Sequence, residues 1–266
     1  MSTRAYFEQQ GRAGASAVPY ANDRILCRAI NRFKMFVSSK DTSVGPHLAL
    51  DGIWEPWVTA CVFSAIQPGM HCCNVGANVG YYTLLLGACV GSSGSVHAME
   101  CNPAIFELCR DNVFLNGMNG WVTVHKCAGG SSQGVATYQV DETLPGSGYV
   151  NRGVLRDDWN KQTVRVDTVD NIVNGGKLDF LMVDAEGSEP EVIEGAADTI
   201  DRNPQLELLL EWAPEGFGVG GARRLGEKLF GYGYKAFRVL DLGDRQQLRS
   251  EQLFAISEWD MVWFRR

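Results

Sequence analysis

The sequence predicts an α/β fold built on an open, mostly parallel sheet of seven strands, with an antiparallel edge strand and helices on both faces. Three observations carry this. From residue 70 onward, short apolar runs alternate with amphipathic stretches, and parallel strands need crossovers and bury both of their faces. A glycine-bearing turn, Asn74-Val75-Gly76-Ala77-Asn78-Val79-Gly80, joins the first apolar run to the first amphipathic stretch. The chain has 266 residues, of which 45% are hydrophobic and 21% charged. That is enough for one or two globular domains with a sizeable core, and it excludes disordered, collagen-like and coiled-coil chains.

The elements follow in order. Residues 1–69 read as a helical lead (NDRILCRAINRF), an extended segment (KMFVSS) and a helix from Glu55 to Ala65 that stops before Pro68-Gly69. Together they form an arm packed on a main domain of residues 70–266. The main domain opens with the strand MHCCNV, the helix YYTLLLGACV and the strand SVHAME. Asn102-Pro103 then gives a cap followed by proline in the first helical turn, and Asn116-Gly117 ends that helix. The strand WVTVHKCA comes next, and Asp141 to Lys161 reads as an exposed insertion. The strand LDFLMVDAEG, the helix EPEVIEGAADTI, the strand QLELLLEW and the helix GARRLGEKLFGYG, stopping at Gly231, continue the alternation. YKAFRVLDL and DMVWFRR alternate as strands around a turn at Gly243-Asp244 and form the antiparallel edge.

A net charge of −7 argues against a chain whose affinity rests on neutralising phosphates, so nucleic acid is not an expected partner. The N-terminus has no apolar core of a signal peptide, and no stretch reaches the roughly 18 apolar residues that span a bilayer. The expectation is a cytoplasmic protein without membrane contact. The eight cysteines form no C-x-x-C pair and signal neither a zinc site nor a disulfide framework. Of the four histidines, His71, His97 and His125 fall in or beside strands, and His47 sits in a loop-like Gly45-Pro46-His47 context, as a base from the N-terminal arm or, more simply, a surface residue.

The turn at 74–80 is the most informative stretch. Gly76 lets the backbone bend sharply and approach a ligand, while Gly80 lets the next helix start close to the strand with its N-terminus toward that ligand. The strand 96–100 ends in Glu100, 20 residues beyond Gly80, where an acid accepts hydrogen bonds from both hydroxyls of a ribose. A dinucleotide turn would place glycines at 76, 78 and 81, but positions 78 and 81 are Asn and Tyr. S-adenosylmethionine has no pyrophosphate, so its turn tolerates the Asn78 side chain, and it is the favoured cofactor. The plainer alternative is a structural turn of an α/β fold.

After the middle strand comes Asp184-Ala185-Glu186-Gly187-Ser188-Glu189. Ligands of open α/β sheets lie at the carboxyl ends of strands, so Asp184 and Glu186 project toward the crevice that holds Gly76. Methyl transfer is an in-line displacement that gains from orientation and needs a base when the acceptor is an un-ionised hydroxyl. Asp184, Glu186 and Glu211, the last at the end of the next strand, are the candidate catalytic residues. The competing structural reading has Asp184 capping the following helix, with Glu186 and Glu189 complementing its dipole. Three carboxylates leave magnesium possible, but no spacing demands it and no metal ligand is assigned. Trp54-Glu55 precedes the first helix, where Glu55 is placed against the cofactor.

Four segments resemble the FkbM-type S-adenosylmethionine-dependent methyltransferases: GIWEPWV (52–58), NVGANVGYYTLLLG (74–87), VHAMECNPAIFELCRDNVFLNG (96–117) and VDTVDNIVNGGKLDFLMVDAEGSEPEVIEGA (166–196). The resemblance implies the class I methyltransferase Rossmann-like fold and O-methylation of a sugar, glycan, polyketide or related metabolite. It places the cofactor turn on Gly76, Asn78 and Gly80, the ribose acid on Glu100 and the acidic motif on Asp184 and Glu186. The cofactor-binding set is completed by Glu55, Asn74, Thr83, Cys101 and Asn102. Two positions depart from the family pattern: Asn74 stands where the family usually has Asp, and Cys101 where it usually has Pro.

The alternative reading is a non-catalytic S-adenosylmethionine-binding module that retains the fold, motivated by Asn74. A nicotinamide-dependent short-chain oxidoreductase needs Tyr-x-x-x-Lys, which none of the eight tyrosines provides. A nucleic-acid amino-methylating enzyme needs an Asn/Asp-Pro-Pro-aromatic motif where this chain has Asp-Ala-Glu-Gly. The identity of the acceptor and the oligomeric state are not encoded in any motif. The acceptor pocket is expected to draw on the N-terminal arm, the 141–161 insertion and residues after Glu211, with Gly216 to Gly221 a loose connection rather than a lid.

Overall fold

The computed structural model describes residues 1–141, 144, 146, 148–150 and 156–266. Helix α1 (Thr3–Gly14) is capped by the Ser2 hydroxyl, which accepts from the Ala5 amide at 3.2 Å. An antiparallel meander follows, made of β1 (Ala17–Tyr20), β2 (Arg24–Ala29) and β3 (Phe33–Ser38). The helix expected over NDRILCRAINRF is therefore a strand flanked by turns. Asn22, Asp23, Ile30 and Asn31 all have positive φ, which breaks a helix at both ends. Between them Cys27 and Ala29 are buried while Arg28 is exposed, the two-residue period that pairing with β3 rewards. The expected extended segment falls in β3.

In α2 (Val44–Leu50) the Asp41 carboxylate accepts from the amides of Ser43 (2.9 Å) and Gly45 (2.6 Å). His47 thus lies on a helix instead of a loop, exposed, 3.2 Å from Asp51. In α3 (Pro56–Ala65), Glu55 occupies the cap position and proline opens the first turn.

The remaining elements are β4 (His71–Val75), α4 (Tyr81–Val90), β5 (Ser95–Met99), α5 (Pro103–Leu115), β6 (Val122–His125), β7 (Ala128–Gly129), β8 (Gly134–Val140), β9 (Tyr149–Val150), β10 (Asn160–Asp167), α6 (Val169–Val173), β11 (Phe180–Val183), α7 (Glu189–Glu194), α8 (Ala197–Arg202), β12 (Glu207–Trp212), α9 (Gly221–Gly231), β13 (Lys235–Val239), β14 (Arg245–Leu248), α10 (Ser250–Phe254) and β15 (Asp260–Arg265). The expected caps of α5 are present: the Asn102 side chain accepts from Ala104, and Asn116 closes the helix.

The central sheet has the order β14-β13-β15-β12-β11-β4-β5-β6. Strands β6, β5, β4, β11 and β12 are parallel, and β15 inserts antiparallel between β12 and β13. The strand order switches between β4 and β11, which opens a crevice at their carboxyl ends. The sheet is that of the class I methyltransferase Rossmann-like fold, with one strand more than the seven expected. The addition is β14, because the turn at Gly243 (φ 85) folds residues 245–248 back onto β13 as an antiparallel edge. DMVWFRR follows later as β15 and also pairs antiparallel with β13.

Both sheet faces are covered. On one, Leu84 and Leu86 of α4 and Val58 and Val62 of α3 join Phe33 and Met35 of the meander in a core that includes Phe180 and Trp263. The two aromatic rings stack with centroids 5.0 Å apart. Residues 1–69 share this core and are packed into it. On the other face, Val192, Ile193, Ile200, Leu225 and Leu229 cover Leu181, Leu208 and Leu210. The helix expected over 189–200 is divided into α7 and α8 at Gly195-Ala196.

A second sheet, β7-β10-β8-β9, stands beside the first. It flanks the segment expected to be an exposed insertion, part of which lies outside the described residues. Of the described ones, Gly148 is buried and Gly146 and Val150 are half-buried. Among the described residues no helix is long and apolar enough to cross a membrane.

Candidate active site

The carboxyl ends of β4, β5, β11 and β12 border a cleft of about 350 Å³, whose walls include Glu55, Gly76, Asn78, Glu100, Asp184 and Glu211. Cys101 and Glu186 also line it. Asn74, Gly80, Thr83 and Asn102 are buried and are absent from its walls; they shape the turn from behind.

Gly76 has φ 81, and a Cβ at this position would lie 1.7 Å from the carbonyl oxygen of Asp184. Only glycine lets β4 and β11 approach this closely. The amides of Gly76 and Ala77 both donate to the Met99 carbonyl at 3.0 Å, tying the turn to β5. Asn78 adopts φ 49, a conformation asparagine accepts better than most residues, and its side-chain oxygen takes the Val79 amide at 2.7 Å. Gly80, with φ 92, starts α4. Behind the turn the Asn74 amide donates to Thr83 Oγ1 at 3.0 Å, while Asn74 Oδ1 has no partner among the described residues.

Glu100 closes the other side. Its two carboxylate oxygens accept from the Asn78 amide (2.9 Å) and the Asn102 amide (2.7 Å). Burial pushes its pKa up to about 7, against the lowering effect of these hydrogen bonds. A carboxylate presented this way has further lone pairs for a pair of vicinal hydroxyls. Beside it Met99, Cys101, Cys127 and Ala128 give the cleft an apolar stretch.

Glu55 enters from the N-terminal segment in a left-handed conformation, φ 39. Tyr82 donates to it at 2.7 Å, whereas burial and the nearby Asp184 push its pKa up to about 7. The Thr59 hydroxyl donates to the Trp54 carbonyl (2.8 Å), so Tyr81 donates to Thr59 (2.9 Å). The starts of α3 and α4 are thereby fastened to the 54–55 segment.

Asp184 and Glu211 are hydrogen-bonded to each other, and burial raises the pKa of both. Two carboxyl groups in contact hold one proton between them. Glu211 Oε2 has no partner among the described residues. Glu186 is exposed at the turn, with φ 51. Asp184 does not cap the following helix: Ser188 occupies the cap position of α7 without a side-chain cap bond. The buried Glu189 instead accepts from the Ala185 amide at 2.6 Å, and its pKa is pushed up to about 8 by burial. Among the described residues no group of three or more His, Cys, Asp or Glu side chains is arranged to hold a metal ion.

Two wall residues, and one buried acid outside the wall, escape sequence reasoning. Tyr138 comes from β8, which carries little apolar signal. Trp259 lies in the connection before β15. Glu189 reads as a dipole complement, and the proline after it is the available hint that it sits at a helix start. His47 packs its ring against Trp54 at 5.4 Å and does not line the cleft. At the loose connection, a Cβ on Gly187 (φ 91) would meet the Gly216 carbonyl at 2.8 Å, so these two loops touch through their backbones.

Comparison with known proteins gives one family match: the methyltransferase FkbM domain matches residues 74–235. No curated protein matches significantly. Among solved structures, Trm5b from Pyrococcus abyssi aligns over 93% of this chain and 57% of its own, with 16% identity and a TM-score of 0.49. The chain thus spans little more than half the length of that protein. A precorrin-6y C5,15-methyltransferase from Geobacter metallireducens aligns over 80% and 89% of the two chains, with 12% identity and a TM-score of 0.47. An O-methyltransferase from Bacillus cereus, solved in complex with S-adenosylhomocysteine, aligns over 79% and 78%, with 13% identity and a TM-score of 0.44. Because the matched domain covers more than half of its residues, the chain belongs to the FkbM methyltransferase family, whose cofactor is S-adenosylmethionine.

Proposed function

We propose that the protein is an O-methyltransferase acting on a hydroxyl of a sugar, glycan or polyketide-type metabolite, and that the 350 Å³ cleft is its active site. The observation that carries this reading is the pair of acids, Asp184 and Glu211, that line the cleft at the switch in strand order, beside a turn that only glycine permits. The donor set fits the cofactor. Glu100 suits the ribose diol, the stretch of Met99, Cys101, Cys127 and Ala128 suits the flat adenine, and the acids at 184 and 211 suit a ligand carrying positive charge.

When bound, S-adenosylmethionine supplies an electrophilic methyl group on a positively charged sulfur. The protein's part is orientation, dryness and proton transfer. Glu100 and the turn at 76–80 fix the nucleoside end, with Cys101 continuing that wall and the Asn102 amide holding Glu100 in place. Glu55, held by Tyr82, faces Asp184 across the cleft. In this reading a carboxylate oxygen of Asp184 takes the acceptor hydroxyl's proton as the oxygen attacks, and Glu211 retains the proton the pair already holds. General-base assistance of this kind is worth about 10²–10⁴-fold. Glu186, at the exposed rim, meets the acceptor. Residues 1–69 act as a cap, contributing Ser43, Val44, Trp54 and Glu55, and Gly146, Gly148 and Val150 also line the cleft. The catalytic unit proper is 70–266. Nucleic acid and membrane have no place in this reading, and an acidic chain with free cysteines is assigned to the cytoplasm.

Asn74 does not favour a binding-only module, because its amide holds Thr83 behind the turn and is not part of the cleft wall. The test is incubation with S-adenosylmethionine and a panel of hydroxyl acceptors, with mass spectrometry of the products. A methyl ether formed together with S-adenosylhomocysteine is expected. Methylation at nitrogen or carbon, or binding without transfer to any acceptor, would overturn the assignment.

A further inference from the structure

A second cavity of about 400 Å³ adjoins the cleft and shares Trp54, Glu55 and Trp259 with it. Its walls carry three indoles, those of Trp54, Trp57 and Trp259. Trp259 is 55% exposed, an unusual setting for so large an apolar side chain at the mouth of a cleft, and no ring contact within the protein accounts for it among the described residues. The polar groups around the trough are mostly paired off. Asp51 lies 3.2 Å from His47, and Glu8 lies 2.8 Å from Arg4. Arg12, exposed on the rim, is the cation left over at that side. Glu55 stands at the joint between the two cavities with a phenol for a partner and another acid, Asp184, as its electrostatic neighbour.

We infer that this trough is the acceptor subsite and that it takes a ring-shaped acceptor carrying a protonated amine beside the hydroxyl to be methylated. The inference rests on the methyltransferase reading of the adjoining cleft. The face of an indole carries negative electrostatic potential and attracts cations, more strongly than any other side-chain ring. A carboxylate that faces a second carboxylate across a partly buried cavity gains from any positive charge placed between them. The amine is therefore drawn to the joint at Glu55, the ring lies against the tryptophans, and a hydroxyl on the same ring reaches toward Asp184. Arg12 attracts an anionic acceptor at the rim, but Glu55 and Asp184 repel it on the way to the site of methyl transfer. A neutral one stacks on the indoles but leaves Glu55 without a positive partner.

Three compounds with one ring and one hydroxyl in common separate these cases: 4-aminocyclohexanol, 1,4-cyclohexanediol and 4-hydroxycyclohexanecarboxylate. Each is titrated at pH 8 into the full chain while tryptophan fluorescence is followed. The amine is expected to bind at least tenfold more tightly than the diol, and the carboxylate more weakly than either. Glu55→Gln and Trp259→Ala, the latter at an exposed position that does not threaten folding, are each expected to cut the advantage of the amine to less than threefold. Equal affinity for amine and diol, binding of none of the three, or an advantage that survives both substitutions overturns the inference. Calorimetry with S-adenosylhomocysteine is run separately on the unmodified protein. Absence of heat there strikes the methyltransferase reading, whereas the preference among the three rings decides the subsite.

Discussion

Replacing Glu100 with glutamine perturbs the cleft by exchanging one oxygen for an amino group. In the native site both carboxylate oxygens are used, one by the Asn78 amide at 2.9 Å and one by the Asn102 amide at 2.7 Å. Glutamine offers one accepting oxygen, so one backbone N–H is left facing another donor. A buried donor without an acceptor costs about 1–3 kcal/mol. The bound diol loses charge-assisted hydrogen bonds of similar worth, which corresponds to a loss of roughly 10–100-fold in affinity. Calorimetric titration with S-adenosylhomocysteine at pH 8 should show that loss for Glu100→Gln. Because burial holds Glu100 near a pKa of about 7, the wild-type carboxyl takes up a proton as the pH falls through that value. The difference between the two proteins should then shrink at pH 6. An unchanged dissociation constant at pH 8, with the variant folded, would refute the placement of the ribose on this carboxylate.

Gly76→Ala forces a side chain into the Asp184 carbonyl and a left-handed φ that costs alanine about 1–2 kcal/mol by itself; cofactor binding should be lost and the melting temperature lowered by several degrees, and a variant that binds normally would contradict the contact. Asp184→Asn should lower kcat by about 10²–10⁴-fold while S-adenosylhomocysteine binding changes by only a few-fold; a wild-type kcat would remove Asp184 from the proton transfer. Burial carries Glu189 from 4.5 to about 8 and Glu55 from 4.5 to about 7, so between those values the native state keeps protons that the unfolded chain has released. Stability of the ligand-free protein should therefore fall as pH rises from about 4.5 to about 8, by on the order of a few kcal/mol in denaturant titrations, and a rise over that range would contradict the burial of these acids. Tyr82→Phe removes the hydrogen bond that favours ionised Glu55, so the pKa of Glu55 should move higher still, which carbon-13 NMR of the labelled carboxyl would register; an unmoved or lower value would argue against that contact.

The parts of the fold that were legible in the sequence are those where local chemistry and long-range packing agree. Strands β4, β11 and β12 are apolar on both faces because helices cover both, and the cap at Asn102-Pro103 works within a single turn of chain. The turn at 76–80 was readable because its glycines have a steric cause: Gly76 faces the backbone of β11. Strand β2 was not readable as a strand. Its pairing partners and the positive φ values at 22–23 and 30–31 outweigh a helix-like spacing of charges. Strands β8 and β10 were hidden because few of their side chains, Tyr138, Val140, Val164 and the half-buried Val166, join the small cluster beneath them, while Val135 is exposed. The acidic motif was legible as a group but not in its division of labour. That Glu189 grips the Ala185 amide while Asp184 turns to Glu211 depends on a loop conformation, with Glu186 and Gly187 both at positive φ, that spacing alone does not encode.

A crystal structure of the protein with S-adenosylhomocysteine tests whether the bend after β4 and the acid after β5 hold the nucleoside. Density is expected with the ribose hydroxyls on the Glu100 carboxylate, the adenine along Met99, Cys101 and Cys127, and the sulfur turned toward Asp184. Density for the ligand elsewhere on the molecule, or a ribose directed away from Glu100, would contradict the account.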